Sequence, residues 1–247
     1  MMKCDTVSSV LFLGDSIAKG VMLDEDRNRY VFLQQPFAQH VAELFGIDLE
    51  NRARFGSTIA KGREQWEKWL EKGKQAEVVL LEFGGNDCDF HWDEVGHDPV
   101  PEHHIPNTEL ASFVLQYTDL VRDIQQHGLQ PVMMTLPPID AERYFAWITS
   151  PEKVDDQGVL AFLGDVEHIY RWHESYSLAV WQVAQQTHCP VIDMRSKFLK
   201  TWDYRRLLCK DGIHPNEQGH EVMADALQDF ARAYGLPAGS GAVDVWA

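Results

Sequence analysis

The chain has 247 residues, 45% hydrophobic and 24% charged, and its 22 basic against 38 acidic side chains give a net charge of −16. These values exclude collagen-like, disordered and disulfide-framework classes, and the length suffices to bury a proper core. The acidic excess argues against nucleic acid, whose phosphates require clustered Lys and Arg, and against an anionic membrane surface.

Short apolar runs alternate with longer amphipathic segments, which is the α/β signature. The first run, residues 9–13, is continuously apolar after Ser9 and ends at Gly14, as expected of a parallel strand buried on both faces. A helix is predicted over 34–45, with Phe37, Val41, Leu44 and Phe45 on one face, and a weak strand over 48–53. A helix over 58–70 then leads to a clear strand over 77–83, stopped by Gly84-Gly85. After a long loop, Thr108 is expected to cap a helix reaching about His127, whose stripe includes Phe113, Tyr117, Leu120 and Ile124. A fourth strand over 131–136 stops at Pro137-Pro138. A second long loop, a helix over 165–187, a short strand over 190–192 and a last helix over 217–234 complete the order, and the tail from Gly235 is expected to be loosely held.

Five strands separated by helices imply right-handed crossovers and a doubly wound parallel sheet, with ligands outside the strands' carboxyl ends. No repeat or linker interrupts residues 1–247, so one domain is expected. The strand ends therefore merit the closest reading. Gly14-Asp15-Ser16 follows the first strand, Asn51 and then Phe55-Gly56-Ser57 the second, and Gly84-Gly85-Asn86-Asp87 the third. Near the C-terminus stands Asp211-Gly212-Ile213-His214-Pro215-Asn216.

These are the parts of a serine hydrolase. A Ser hydroxyl needs a base within hydrogen-bond reach, and the base needs an acceptor that fixes its tautomer. Asp211 and His214, three residues apart in a loop bounded by Gly and Pro, can meet on one turn. Backbone N–H groups at Ser16 and Gly56 and the side-chain amide of Asn86 would supply three oxyanion donors. Asp15 and Asp87 are expected to hydrogen-bond the turns that present their neighbours, and Pro215 and Asn216 to shape the loop that holds His214. Asp193, after the fifth strand, lacks the short link to His214, which favours Asp211 as the orienting carboxylate.

Taken in order and spacing, these four segments resemble the sequence blocks of the SGNH/GDSL hydrolases, with Ile17 where the name-giving motif has Leu. The resemblance covers the chain from Leu11 to about Gly219. It implies a three-layer α/β/α sandwich (flavodoxin-like) around a five-stranded parallel sheet. It also implies Ser16 as nucleophile, His214 as base, Asp211 as its orienting carboxylate, and Ser16, Gly56 and Asn86 as the oxyanion hole. Rival motifs are missing: there is no G-x-S-x-G elbow, no H-E-x-x-H, no Walker A sequence and no G-x-G-x-x-G.

Two stretches exceed ordinary loop length and are expected to be lids. The first, 88–107, holds His91, His97, His103 and His104 beside Asp89, Asp93 and Asp98 without any known metal-ligand spacing, so it reads as a polar lid and no metal or other cofactor is expected. Phe90 and Trp92 are the candidate substrate-binding residues. The second, 137–163, carries Ile139, Tyr144, Phe145, Trp147 and Phe162, a density suited to stacking on a sugar ring or enclosing a short acyl chain. The stripe Ile169, Tyr170, His173, Tyr176 and Val180 reads as core. Asp89, Asp93, Glu94 and Asp98 are expected near the entrance, favouring neutral or cationic esters.

Cys4, Cys88, Cys189 and Cys209 lack metal or redox spacing and are expected to be free thiols. No segment has the makeup of a signal peptide or approaches the roughly 20 apolar residues of a membrane span, so a cytoplasmic location is expected. The sequence reading is thus a metal-independent serine esterase that works through an acyl-enzyme on small acyl groups, such as acetyl, carried by a polar or sugar alcohol. Its expected partner is a small-molecule ester, with no nucleic acid and no membrane, and its oligomeric state is open. The alternatives are a lysophospholipase or thioesterase of the same family, a flavodoxin-like protein cradling a phosphate at residues 14–20, and, last, a metal-dependent phosphoesterase on the His/Asp loop.

Overall fold

The computed structural model describes residues 7–151 and 153–234. Cys4 and the tail from Gly235 lie outside the described residues, and Cys88, Cys189 and Cys209 are buried free thiols. Strand β1 (Ser9–Gly14) is buried from Val10 onward and passes through Asp15 into a single-turn helix, α1 (Ser16–Lys19), that Gly20 ends. Next comes a hairpin absent from the sequence reading. Its strands β2 (Val21–Asp24) and β3 (Arg29–Phe32) pair antiparallel around a polar turn in which Asn28 adopts φ 48°. The chain continues with α2 (Phe37–Phe45), β4 (Asp48–Asn51), α3 (Ile59–Leu70) and β5 (Val78–Glu82). Then come α4 (Trp92–His97), α5 (Leu110–Gln126), β6 (Gln130–Met134), α6 (Ala141–Ile148) and α7 (Asp156–Leu163). The last elements are α8 (His168–Thr187), β7 (Val191–Ile192), α9 (Met194–Leu199) and α10 (Glu217–Ala233).

The five strands read from the sequence form one parallel sheet in the order β4-β1-β5-β6-β7. Side chains alternate across it. Leu11 and Leu13 face one layer, with Trp66 of α3, Phe113 of α5 and Val180 of α8. Val10 and Phe12 face the other, with Val41 of α2, Phe198 of α9 and Leu227 of α10. Burial on both faces is why these strands read as continuous apolar runs. The α/β/α architecture is the expected one.

Three local expectations are corrected. Thr108 does not cap α5: Glu109 takes the N-cap position, and the Thr108 amide instead bonds the Asp87 carbonyl at 2.9 Å. Helix α8 starts at His168, after a turn over 165–167 in which the amides of His168 and Ile169 bond the Asp165 and Val166 carbonyls. The two long lids are not irregular loops. The first contains α4, and the second contains α6 and α7, capped by Asp140 onto the Arg143 amide and by Asp155 onto the Gln157 amide.

These lid helices build a third apolar cluster from Val95, Ile139, Tyr144, Val159, Leu163 and Ile169. Helices α4 and α7 touch backbone to backbone, since a Cβ on Gly158 would fall 1.9 Å from the Gly96 carbonyl oxygen. Glycine there is a packing requirement, and it masked α7 in the sequence. The lid is a packed cap over the carboxyl ends of the strands, where the site must lie.

Candidate active site

The turn after β1 presents Ser16 at the first position of α1. Asp15 makes that turn: its Oδ1 accepts from the Ile17 amide at 2.8 Å. The same carboxylate covers the N-terminus of α1, where a cradled phosphate would have to sit. At the end of β4, Asn51 donates to the Ala18 carbonyl at 2.8 Å and locks the neighbouring strand end to the turn. Ser16 is 7% exposed, and its Oγ lies 2.9 Å from Nε2 of His214.

His214 arrives from the far end of the chain on a short, fully bonded loop. Leu208 and Pro215 form an antiparallel bridge, and the Cys209 amide bonds the His214 carbonyl at 2.8 Å. Asn216 caps α10 by accepting from Gly219, and its Nδ2 donates to the Arg206 carbonyl. Gly212 sits at φ +77°, and a Cβ there would fall 2.6 Å from the Asp140 carbonyl oxygen, so this turn against α6 demands glycine. Asp211 is fully buried. Its Oδ1 accepts from the Ile213 and His214 amides at 3.1 Å each, and its Oδ2 lies 2.6 Å from His214 Nδ1. Burial pushes the Asp211 carboxyl up, but the bond and charge of His214 and the two amides outweigh it and hold the carboxyl below its ordinary range. Asp193 is elsewhere: it caps α9 through the Ser196 amide.

The third strand end adds a buried acidic pair. Asp15 and Glu82 are almost wholly out of solvent and adjacent, the Asp15 amide bonding Glu82 Oε2 at 3.4 Å. Burial, followed by the Asp15 charge, raises Glu82 well above the ordinary carboxyl range. Burial also raises Asp15, opposed by Glu82, by the bonds from Ile17 and Asn86 and by the His214 charge. Two carboxylates this close cannot both ionise in a dry site, and Glu82, the more strongly raised, is the one that keeps the proton. Asp15 Oδ2 then orients Asn86, whose Nδ2 donates to it at 2.9 Å and retains a second N–H. Asp87 turns the other way. Both its oxygens accept from the Ile59 amide, at 3.0 and 3.2 Å, and burial pushes it up to about 6.

A carboxyl whose folded pKa exceeds its unfolded one stabilises fully only below the unfolded value, and that contribution is lost as pH rises through the folded value. Glu82→Gln removes the proton that must be held. Melting temperatures of the variant are therefore expected to fall less than wild type between mildly acidic and mildly alkaline buffer. A steeper fall in the variant would show that Glu82 is ionised in the fold.

A cavity of about 310 Å³ opens beside Ser16. Ser16, His214, Asn86 and Gly85 line its reactive end, and the expected Phe90 and Trp92 lie in its wall. Gly56, at φ +68° in the loop after β4, is not among the lining residues, although its neighbour Phe55 is. The sequence reading missed Tyr30, carried by the β2–β3 hairpin, whose ring sits 5.0 Å from that of His214 and 6.2 Å from that of Trp147. The only sequence signal for it was the apolar triplet Tyr30-Val31-Phe32 after a polar turn. Burial and the Asp211 charge push the Tyr30 phenol up.

The stripe read as core divides. Tyr176 and Val180 are core, whereas Ile169 and His173, with Trp172 between them, line the cavity. Of the acidic residues expected near the entrance, Asp89 lines the cavity, while Asp93, Glu94 and Asp98 are exposed and not among its lining residues. The histidines of this segment serve locally, as in the 2.7 Å contact of His103 Nδ1 with Asp98 Oδ2. Among the described residues no group of three or more His, Cys, Asp or Glu side chains could hold a metal ion, and no helix is long and apolar enough to cross a membrane.

Solved structures of known proteins share this fold. An acetylxylan esterase from Geobacillus stearothermophilus, Axe2, superposes with a TM-score of 0.64 at 22% identity, over 96% of this chain and 98% of that one. A lipase/acylhydrolase from Enterococcus faecalis gives 0.63 at 18% identity, over 92% and 96% of the two chains. The Arabidopsis thaliana GDSL esterase/lipase CPRD49 is 26% identical over 160 residues, which is 62% of this chain and 53%, about half, of that relative. A profile of the GDSL-like lipase/acylhydrolase family matches residues 12–222, and with that span covering all four strand-end segments the chain belongs to this family.

Proposed function

We propose that the protein hydrolyses carboxylic esters through an acyl-enzyme on Ser16. The observation that carries the reading is the unbroken relay from Ser16 Oγ to His214 Nε2 at 2.9 Å and from His214 Nδ1 to Asp211 Oδ2 at 2.6 Å, on the wall of the cavity. His214 takes the Ser16 proton as Oγ attacks the ester carbonyl, then passes it to the leaving alcohol; in the second half it activates water. Asp211 holds the tautomer with Nδ1–H and stabilises the imidazolium. The oxyanion donors are the Ser16 amide and the free N–H of Asn86, both on the cavity wall, whereas the expected Gly56 amide lies outside its lining.

The substrate reading is a small acyl group, such as acetyl, on a polar or sugar alcohol. A cavity of about 310 Å³ lies at the low end of the roughly 300–1,000 Å³ span of small-molecule sites. Its rings, Tyr30, Phe55 and Trp147 at the mouth, offer flat faces to a sugar, and a structural neighbour is titled an acetylxylan esterase. In a series of p-nitrophenyl esters, kcat/KM is expected to be highest for acetate and to fall with acyl length. A rise toward long chains would instead support the lysophospholipase or thioesterase reading.

A further inference from the structure

His173 is 7% exposed, lies in the second turn of α8, and lines the cavity that holds Ser16. Behind it stands Arg195, itself buried and held by Glu174 at 2.9 Å and by Ser177 Oγ and Tyr170 OH at 3.2 Å each. Arg195 Nη2 lies 2.9 Å from His173 Nδ1. A guanidinium only donates and does not give up its proton. Nδ1 must therefore be the accepting lone pair, and the ring proton sits on Nε2. Burial, reinforced by the Arg195 charge, holds His173 well below its ordinary pKa, so the ring is neutral. Nε2 has no protein partner among the described residues. It is also not sealed off, in contrast to His220, both of whose ring nitrogens are buried and unpartnered. The side left open to it is the cavity.

Asp89, in the same wall, is the counterpart. Its Oδ1 accepts from Tyr144 OH and Trp92 Nε1, both at 2.7 Å, while Oδ2 takes neither of these side-chain bonds and is likewise not sealed; the Phe90 amide also stands against the carboxylate. The cavity thus carries a fixed donor and a fixed acceptor, each braced from behind, among the rings of Phe90, Trp92 and Trp172.

We infer that His173 and Asp89 are specificity-determining residues that read hydroxyl groups on the alcohol portion of the ester, His173 Nε2–H donating to one oxygen and Asp89 Oδ2 accepting from a hydroxyl. This rests on the esterase reading of Ser16 and names what the same cavity selects. A hydroxyl both accepts and donates, so a polyol satisfies the pair. An alkyl chain would leave a buried donor and acceptor unmade. A cation would suit Asp89 but meet a donor backed by the Arg195 charge. Flat aromatic faces beside such a pair suit the apolar side of a pyranose ring.

The test compares kcat/KM for a mono-O-acetylated xylose, which keeps free hydroxyls, with that for p-nitrophenyl acetate, which has none. In His173→Phe and in Asp89→Ala, the ratio of the two is expected to fall roughly tenfold to a hundredfold, mainly through KM for the sugar ester. His173→Gln, which keeps an N–H donor, is expected to recover part of the loss. An unchanged ratio overturns the inference, as does a wild type that hydrolyses p-nitrophenyl acetate and no sugar acetate. A wild type inert on every ester, or a Ser16→Ala variant as active as wild type, refutes the esterase reading itself. One readout does not depend on activity: ¹⁵N NMR of the imidazoles should find His173 neutral at neutral pH with its proton on Nε2. A charged ring or an Nδ1–H tautomer would contradict the assignment.

Discussion

Alanine at His214 is expected to lower kcat/KM for p-nitrophenyl acetate by about 10⁴-fold or more, alanine at Ser16 by a similar amount, and the two together by hardly more than either. The physical reason is that the two groups perform one act. Without the imidazole, the Ser16 hydroxyl has no acceptor for its proton at neutral pH; without the hydroxyl, the imidazole has nothing to activate at that position. Independent contributions would add in free energy and their factors would multiply. Comparing the double variant with the single variants therefore distinguishes a relay from two separately useful side chains. The wall is otherwise preserved, because the His214 backbone is tied to Cys209 and Asp211 through main-chain groups that alanine retains.

Asp211→Asn is expected to cost about 10⁴-fold in kcat at neutral pH, with a melting temperature that falls only modestly, by the contribution of the lost carboxylate. Asn Oδ1 can still accept from the Ile213 and His214 amides, so the turn survives. What changes is the atom facing His214 Nδ1. An amide nitrogen there donates, forces the ring proton onto Nε2, and points a donor at Ser16 Oγ in place of the acceptor that catalysis needs. Because the native carboxyl is held below its ordinary range, its contribution is present above the ordinary carboxylate pKa and is lost only as pH falls through the lower folded value. Activity that returned in the variant at alkaline pH would fit this tautomer account. A variant as active as wild type at neutral pH would remove Asp211 from the relay.

The parallel sheet is legible in the sequence because burial on both faces leaves a mark, continuous apolar runs stopped by Gly or Pro, as at Gly14, Gly84 and Pro137. The residues at the strand ends are legible because the chemistry restricts them: Asp211-Gly212-Ile213-His214 combines a carboxylate, a forced left-handed turn and an imidazole in four positions. The hairpin is hidden for the opposite reason. Its strands have four residues each, Val21 and Leu23 alone are deeply buried, and Tyr30 gains its meaning only by standing over His214. Helix α7 of the lid is hidden by Gly158, a poor helix residue that a crossing with Gly96 of α4 requires. His173 escapes because the pattern of α8 is that of a core helix, and its first turns become cavity wall only where the lid stands away from the sheet. The Arg195 that sets its tautomer is distant in sequence, on α9.

The central claim is that Ser16 is the nucleophile. The most direct measurement is to treat the protein with an aryl fluorophosphonate, follow residual hydrolysis of p-nitrophenyl acetate, and map the adduct by peptide mass spectrometry. One adduct per chain is expected, on the peptide bearing Ser16, with activity lost in proportion to labelling and with His214→Ala labelling far more slowly. Full activity with Ser16 modified, or inactivation that tracks an adduct on another residue, would contradict it.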